Sequence, residues 1–337
     1  MLLSIRNLGV RFWSPRGIVR AVSDVNLDVQ PGEIVGIAGE SGSGKSVTCM
    51  AVMGLLPTRF ARITGSVMLE GRSLLDLPEQ ERRQLRGKTL AMIFQDPSSC
   101  LDPIRRIGSQ IMEALKLAEP DLPRTELRDR ARDLLRRVGI ADSARRMDEY
   151  PHQLSGGMNQ RVMIAMTLAC SPRLLFADEP TTALDVTTQA QILDLIRSIA
   201  SEHNMAVVLV THDLGVMAQT ADRVAVMYAG RVVENAPVGE LFHHPSHPYT
   251  RALLKACPRT DITVRRLASI PGTVPPLTEK ITGCAFAPRC AEAMPVCPQV
   301  RPRMLNLSRD DASFSAVPGT EHFCACHRNE TGREMPS

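Results

Sequence analysis

The chain has 337 residues, of which 44% are hydrophobic, and 40 Lys and Arg against 36 Asp and Glu leave a formal net charge of +4. This length predicts one large domain with a smaller appendage, and the composition excludes a disordered chain. The charge is too mild to indicate nucleic acid binding, and apolar runs are far shorter than the roughly 20 residues of a membrane-spanning helix, so we expect a cytoplasmic chain that meets a membrane only through a partner.

The first 250 residues alternate short apolar runs with stretches of helical spacing, which predicts an α/β fold with a mostly parallel sheet. Met1 to Phe12 contains charged residues and reads as a strand rather than as a secretion signal. Continuous apolar runs predict strands covered on both faces: Ile34 to Ala38, Leu174 to Ala177 and Ala206 to Thr211. Helical spacing between Gln110 and Arg146 predicts a helical insert at about residues 96–170, through Leu127, Ala131, Leu134, Leu135 and Val138.

The composition changes after Leu254, where prolines, cysteines and arginines become frequent. The segment Ile270 to Leu277, IPGTVPPL, is incompatible with a regular helix. We expect a domain boundary near residue 255, with a main domain over residues 1–254 and an extension over residues 255–337. The chain has 9 cysteines, of which 4 are scattered up to Cys257 and 5 crowd the extension between Cys284 and Cys326. A cytoplasmic setting argues against disulfides there.

A phosphate-binding loop follows the strand IVGIA. Gly39 to Ser46, GESGSGKS, fits the pattern GxxxxGK[ST], in which backbone N–H groups surround phosphate oxygens. In such a loop Lys45 bridges the outer phosphates and Ser46 ligates Mg²⁺. The alternative, an accidental glycine-rich turn, is disfavoured by the strand before the loop and the helix after it. The predicted nucleotide-binding residues here are Gly39, Ser41, Gly42, Ser43, Gly44, Lys45, Ser46 and Val47.

A second apolar strand, Leu174 to Ala177, ends in two carboxylates. We predict that Asp178 holds Mg²⁺ and that Glu179 polarises the attacking water. If the motif stood alone, a strand-end acidic pair that caps a helix would be the preferred interpretation. Its combination with a phosphate loop favours catalysis.

The segment LSGGMNQR, Leu154 to Arg161, opens an apolar helical run, and Ser155, Gly156 and Gly157 form a further anion site at a helix N-terminus. This segment resembles the signature of the ATP-binding-cassette family. The resemblance implies a P-loop NTPase fold with a RecA-like parallel sheet core, an antiparallel β subdomain and a helical subdomain. It also implies a dimer, because in that family the LSGG of one subunit closes on the nucleotide held by the other.

Further segments match the family in its order along the chain. Gln95 resembles the Q-loop glutamine, Ala183-Leu184-Asp185 the D-loop at the dimer interface, and His212 the switch histidine at the γ-phosphate. Their ordinary alternatives are a capping Gln, a helix-starting Asp and a strand-end His. The resemblance implies catalytic roles for Glu179, His212, Lys45 and Gln95, and Mg²⁺ binding by Ser46, Gln95 and Asp178.

An aromatic side chain near the N-terminus stacks on adenine in this family. Phe12 and Trp13 are adjacent candidates, and we favour Phe12 because it follows a basic residue. Either residue could instead belong to the core, as isolated aromatic residues usually do.

Longer segments narrow the resemblance: GESGSGKSVT, FQDPSSCLDPIRRIG and DEPTTALDVTTQAQIL. They are similar to the D-type ATPases of dipeptide and oligopeptide importers, and HPYTRALL with IPGT resembles the C-terminal extension of that subfamily. The resemblance implies an ATPase that uses ATP and Mg²⁺ to drive import from the cytoplasmic face of the membrane. The implied partners are two membrane permease subunits, an F-type ATPase that completes a heterodimer, and a periplasmic or extracellular substrate-binding protein, with no nucleic acid.

Other functions stay open from the sequence. Members of the subfamily also import nickel, glutathione or sugars, and the ATPase sequence does not specify the cargo. A cassette ATPase that acts without a permease is a second alternative, although such proteins usually carry paired cassettes or long coiled insertions. A third is that the cysteine-rich part is the functional core and nucleotide is regulatory, which the complete set of ATPase motifs argues against.

The cysteine cluster of the extension points to a metal centre. Thiolates converging from a proline-rich loop could ligate zinc or an iron–sulfur cluster, and the spacing is wider than that of zinc-finger pairs. The pattern C-x-F-x-x-R-C at Cys284 to Cys290 resembles the subfamily pattern that can carry a [4Fe-4S] cluster. The resemblance implies Cys284, Cys290, Cys297 and Cys326 as ligands, with Cys324 as the alternative fourth. Unliganded thiols are the other interpretation.

Overall fold

Strands and helices alternate along the chain as the sequence predicts. The computed structural model describes residues 1–15, 17–97, 100–182, 184–257, 269–308 and 320–330. The strands are β1 (Leu3–Ser14), β2 (Gly17–Val29), β3 (Ile34–Ala38), β4 (Ala61–Leu69), β5 (Arg72–Ser73), β6 (Leu90–Ile93), β7 (Leu174–Asp178), β8 (Ala206–Val210), β9 (Arg223–Tyr228), β10 (Arg231–Pro237), β11 (Leu305–Asn306) and β12 (Phe323–Cys324). The helices are α1 (Lys45–Met53), α2 (Glu79–Leu85), α3 (Ile107–Ala118), α4 (Arg124–Arg137), α5 (Ser143–Arg146), α6 (Gly156–Leu168), α7 (Val186–His203), α8 (Leu214–Thr220), α9 (Val238–His243) and α10 (Pro248–Ala256).

The chain divides into two compact units. The first unit comprises Met1–Gln30, Ile34–Leu75 and Thr211–Ser337, and the second comprises Pro31–Glu33 and Asp76–Val210. The extension thus groups with the strands at the start of the chain and with β3 and α1. The predicted boundary near residue 255 and the limits of the helical insert stay predictions.

The first unit contains two sets of strands. β2, β1, β4 and β5 form an antiparallel sheet in that order. β3 pairs in parallel with β9, and β9 continues through the antiparallel strands β10, β12 and β11. The five residues of β3 are all buried, as their continuous apolar sequence predicts. This strand leads directly into the predicted phosphate loop.

Three aromatic side chains attach the extension to this unit. Tyr228 at the end of β9, Tyr249 in α10 and Phe286 in the extension pack with ring centroids 4.6 to 5.3 Å apart. Aromatic pairs at such distances contribute more than their buried area alone. Several apolar residues of the extension pack on the same cluster, including Ile270, Val274, Leu277 and Ile281. The proline-rich segment IPGTVPPL is non-helical, as predicted.

Glu234 is the buried polar centre of the first unit. Its carboxylate accepts hydrogen bonds from the backbone amides of Ser246 (2.6 Å) and His247 (3.0 Å), and it contacts His322 Nε2 at 2.8 Å. Burial tends to raise the pKa of this carboxyl group, but the hydrogen bonds outweigh burial and hold the pKa of Glu234 below its usual value. The carboxylate therefore joins β10 to the start of α10 and to the segment that leads into β12.

The second unit combines parallel strands with a group of helices. β6 pairs with β7 and β7 with β8, all in parallel. The strands β7 and β8 match the predicted runs, except that β7 includes Asp178 and β8 ends one residue early, at Val210. α4 confirms the predicted helical spacing, because Leu127, Ala131 and Leu135 are buried along one face. Among the described residues, no helix is long and apolar enough to span a membrane.

Replacement of Glu234 by Ala should destabilise the protein by about 1–3 kcal/mol for each facing donor that stays buried without its acceptor. The folded-state pKa of Glu234 lies below 4.5, so its stabilisation is present above about pH 4.5 and is lost as the pH falls through the folded pKa. Thermal unfolding of wild type, Glu234→Ala and Glu240→Ala, whose side chain is exposed on α9, measures this. Equal midpoints for the two variants at pH 7, or a difference from wild type that does not shrink in acid, would contradict the role of Glu234.

Candidate functional site

The phosphate loop connects β3 to α1 within the first unit. Because α1 begins at Lys45, the N-terminus of this helix borders the loop. Lys45 Nζ donates to the carbonyl oxygens of Gly39 (2.8 Å) and Glu40 (3.0 Å), which holds the ammonium group across the loop. Ser43 Oγ is buried and has no hydrogen-bond partner within the described part of the chain. A helix N-terminus, an ammonium group and a buried unsatisfied hydroxyl fit a nucleotide triphosphate with its Mg²⁺.

Two glycines give this loop its shape. Gly44, directly before α1, has a φ of 101°, and a Cβ atom there would lie 2.5 Å from the carbonyl oxygen of Ala21. Gly39 has a φ of 149°, and its Cβ atom would lie 2.2 Å from the carbonyl oxygen of Met227. Other residues resist such backbone angles, and no side chain fits between these backbones. The loop therefore depends on glycine at both positions.

The other loop residues differ in exposure. Ser41 and Gly42 are exposed, whereas Ser46 and Val47 are half-buried in the first turn of α1. Phe12 and Trp13, at the end of β1, point to opposite faces of the strand. Phe12 shares the face of the buried Val10 and is half-buried, while Trp13 is 49% exposed. Adenine stacking by Phe12 stays a prediction.

His212 lies in the turn before α8, between two residues with fixed positions. The backbone amide of Thr211 donates to the carbonyl oxygen of Ile37 in β3 at 3.4 Å. Asp213 caps α8 by accepting from the amides of Gly215 (2.8 Å) and Val216 (3.3 Å). The backbone of His212 is thereby held beside β3, the strand that carries the phosphate loop.

In the second unit, β7 delivers Asp178 and then Glu179, which has a strained backbone. Asp178 is buried, and Glu179 has a φ of 47°, which is uncommon for a residue with a side chain. The carboxylate of Glu179 accepts from Gln95 Nε2 at 3.2 Å and from Thr182 Oγ1 at 2.9 Å. The structure therefore brings Gln95 and Glu179 together. The contact with Thr182 does not follow from the sequence patterns.

The LSGG segment begins α6, as predicted. Ser155 is the N-cap residue, and its Oγ accepts from the amide of Met158 at 3.3 Å. Ser155 and Gly156 are exposed and Gly157 is half-buried, so the amides at this helix N-terminus can reach a partner. Gln160, buried in the same helix, donates to the carbonyl oxygen of Pro180 at 2.5 Å, and this bond ties α6 to the residues that follow Glu179.

Within the predicted D-loop, Leu184 and Asp185 are described, whereas Ala183 lies outside the described residues. Asp185 is the N-cap of α7 and accepts from the backbone amide (2.9 Å) and the hydroxyl group (2.7 Å) of Thr188. These hydrogen bonds, the backbone one first, lower the pKa of Asp185. Asp185 thus starts a helix, which is the ordinary alternative to a D-loop role. Its role at a dimer interface stays a prediction.

Burial raises the pKa of most thiols in the extension. Burial raises the pKa of the Cys284 thiol to about 11, with further contributions from Cys297 and Cys326. Burial also raises the pKa values of Cys290 and Cys326, and each of these thiols is affected by Cys297. The backbone amide of Cys284 donates to the carbonyl oxygen of Cys297 at 2.7 Å. These four are the ligands predicted from the sequence.

Cys324 lies on β12 opposite Glu234 of β10. Burial, with further contributions from Glu234 and Cys326, raises the pKa of its thiol. Among the described residues, no three His, Cys, Asp or Glu side chains are close enough to hold one metal ion.

One contact of the phosphate loop is not predictable from the motifs. Arg289 donates from Nη1 and Nη2 to the two carboxylate oxygens of Glu40, at 2.8 and 3.1 Å. The two residues are separated by 249 positions in the sequence. The available signals were the glutamate after Gly39 and the arginine of C-x-F-x-x-R-C, to which the motifs assign no partner.

Comparison with known proteins matches both parts of the chain. Residues 22–182 match the family model described as ABC transporter, and residues 233–297 match that of the oligopeptide/dipeptide transporter C-terminal region. A probable peptide ABC transporter ATP-binding protein of Sinorhizobium fredii is 48% identical over 331 residues, which cover 98% of this chain and 95% of the relative. The dipeptide transport ATP-binding protein DppD of Escherichia coli K12 is 49% identical over 309 residues, which cover 92% of this chain and 94% of the relative.

Solved structures match the fold. A dimeric ATP-binding cassette in a post-hydrolysis state, bound to ADP and Pi, has a TM-score of 0.63 and 30% identity and covers 70% of this chain and 98% of its own. A cassette of Clostridium perfringens, part of an ABC transporter complex, has a TM-score of 0.60 and 26% identity and covers 72% of this chain and 91% of its own. The predicted α/β cassette fold is thereby confirmed.

Replacement of Gly44 by Ala should weaken ATP binding by about tenfold or more, because strain of roughly 1–2 kcal/mol and a clash with Ala21 both displace the loop. Gly71 is a matched control, since its φ is 80° and no atom lies within 4 Å of its Cβ position. Gly71→Ala should lower the unfolding temperature without changing ATP affinity. Titration with a fluorescent ATP analogue and thermal unfolding measure both effects, and equal affinities for the two variants would contradict the loop assignment.

Proposed function

Because the chain belongs to the family of ATP-binding proteins of ABC transporters, we propose that its ATP hydrolysis drives the import of dipeptides or oligopeptides. The observation that carries this proposal is identity of 48% to a probable peptide transporter ATP-binding protein over 98% of this chain, extension included. The match of residues 233–297 to the C-terminal region of oligopeptide/dipeptide transporters supports the same substrate class. An importer of nickel, glutathione or a sugar is the alternative that a transport assay would reveal.

The proposed roles follow the chemistry of phosphoryl transfer. Lys45 and His212 stabilise the charge of the γ-phosphate, and Ser46, Gln95 and Asp178 hold Mg²⁺, which supplies a counter-charge to the phosphates when it is bound. Glu179 polarises the attacking water. The hydrogen bonds of its carboxylate to Gln95 and Thr182 support this role, because neutral donors orient a carboxylate without neutralising it.

The proposed active form is a dimer with a second ATPase of the F-type. In it the exposed amides at Ser155 and Gly156 approach the nucleotide that the partner's phosphate loop holds. The similarity to a cassette solved as a dimer with ADP and Pi supports this arrangement. The chain alone should therefore hydrolyse ATP poorly.

The proposed location is the cytoplasmic face of the cell membrane, on two permease subunits that receive cargo from a substrate-binding protein. Closure of the ATPase pair would move the surface near Gln95 and the helices α3 to α6, and this movement would reorient the permeases. Relatives named as dipeptide and oligopeptide transport ATP-binding proteins support this assembly.

For the extension we propose a [4Fe-4S] cluster held by Cys284, Cys290, Cys297 and Cys326. The backbone hydrogen bond from Cys284 to Cys297 supports the proximity of two of these cysteines, and the family resemblance implies Cys326 as the fourth ligand, with Cys324 as the alternative. A bound cluster would crosslink the loops that carry the four thiolates. Its role would be structural, because the extension has short strands and no long helix among its described residues.

Glu179→Gln should lower ATP turnover by about 10²–10⁴-fold, because the amide cannot accept a proton from the attacking water. ATP-bound dimers should accumulate in the assembled complex, and uptake of labelled peptide into vesicles should stop. Glu202→Gln, an exposed position on α7, is the control and should retain both activities. Near-normal hydrolysis by Glu179→Gln would remove Glu179 from the mechanism, and normal ATPase without peptide uptake by wild type would reject the peptide substrate.

Protein purified without air should contain iron and absorb broadly in the visible range. Cys326→Ser should lose most of this iron because it removes a ligand, whereas Cys324→Ser should keep it. Iron analysis and visible spectra of the two variants check the ligand set. A colourless, metal-free preparation that is folded and hydrolyses ATP would end the cluster proposal.

A further inference from the structure

The phosphate loop is held from outside by the extension. The Arg289 guanidinium forms two charge-assisted hydrogen bonds with the Glu40 carboxylate, and the Arg289 and Glu40 side chains are only 5% and 26% exposed. Two-point pairing of this kind fixes direction as well as distance, and partial burial limits its screening by water and salt. Glu40 is the second residue of the loop that takes the triphosphate.

The backbone of Glu40 is also fixed on both sides. Its amide donates to Tyr249 Oη at 2.9 Å, and its carbonyl oxygen accepts from Lys45 Nζ at 3.0 Å and from the Ser43 amide at 3.2 Å. The loop lysine and the Arg289 contact thus share one residue. A displacement of the Glu40 backbone would therefore move a carbonyl oxygen to which Lys45 donates.

Arg289 is itself held within the extension. Its Nε donates to the carbonyl oxygen of Pro271 at 2.8 Å, and Nη2 donates to that of Ile270 at 3.2 Å. The guanidinium also lies 5.8 Å from the ring centre of Tyr228. Arg289 ends the short 3-10 helix Ala287–Arg289 and directly precedes Cys290. We call the segment Cys284–Cys290 the cysteine loop.

We propose that Arg289 is a positioning residue for the phosphate loop and that it couples the cysteine loop to nucleotide binding. A carboxylate inside a loop that binds a triphosphate repels the ligand unless its charge is compensated. Arg289 supplies that compensation and holds the carboxylate towards the extension. The inference rests on the proposed ATP site, and coupling of this kind is reciprocal, so nucleotide should also stabilise the cysteine loop.

The first test is a double-mutant cycle in the full chain, with a fluorescent ATP analogue and Mg²⁺ as the probe. Arg289→Ala should weaken binding by about tenfold, because it leaves Glu40 uncompensated. Glu40→Gln in the same background should restore most of the affinity, which loss of mere structural support would not allow. Arg251→Ala is the matched control, because Arg251 pairs with Glu292 of the extension at 2.9 Å and should leave affinity unchanged.

The second test measures amide hydrogen exchange in the cysteine loop with and without Mg²⁺ and the ATP analogue. Exchange should slow with nucleotide in wild type and in Arg251→Ala, and should not respond in Glu40→Gln, which keeps the fold but lacks the ionic link. An equal response in Glu40→Gln, or affinity indifferent to Arg289, would overturn this inference alone. Failure of the wild-type chain to bind the analogue would overturn the proposed function together with it.

Discussion

The start of α1 can present its amides to an anion only if the preceding loop adopts angles that side chains resist. This constraint determines the packing around it, since Gly44 lies against the backbone of Ala21 in β2 and Gly39 against that of Met227 in β9. A further hydrogen bond, from the amide of Gly230 to the carbonyl oxygen of Ser43 at 2.9 Å, closes the loop against the turn after β9. The backbones of the strands around β3 thus fix the conformation of the phosphate loop.

Three glutamates of this chain have different electrostatic surroundings. Glu40 has its charge compensated by Arg289, and Glu234 is buried and held charged by hydrogen bonds. Glu179 accepts from an amide and a hydroxyl group, which are neutral, and its backbone is strained at a φ of 47°. Strain of this kind is maintained only by firm surroundings, here including the bond from its amide to the carbonyl oxygen of Val210. The partners of each carboxylate, rather than its residue type, therefore determine its role.

The sequence predicts those features that depend on a few neighbouring residues. Buried strands such as β3 and β7, the start of α6 at the LSGG segment and the glycine pattern of the phosphate loop all follow from local rules. The meeting of Gln95 and Glu179 follows only from the family resemblance, because the two residues lie 84 positions apart. Arg289 and Glu40 lie 249 positions apart in the sequence, and no local pattern around either residue predicts the other as its partner. The neighbourhood of Cys324 is likewise non-local, because only the pairing of β10 with β12 places Glu234 beside it.

The aromatic cluster of Tyr228, Tyr249 and Phe286 makes the extension part of the hydrophobic core. Phe286 belongs to the extension, but the cluster lies in the core of the unit that carries the phosphate loop. A chain cut after α10 would expose two tyrosines to water and leave Glu40 without Arg289. The extension therefore shares its core with β9 and α10. A recombination that transfers the extension to another cassette would have to transfer β9 and α10 with it.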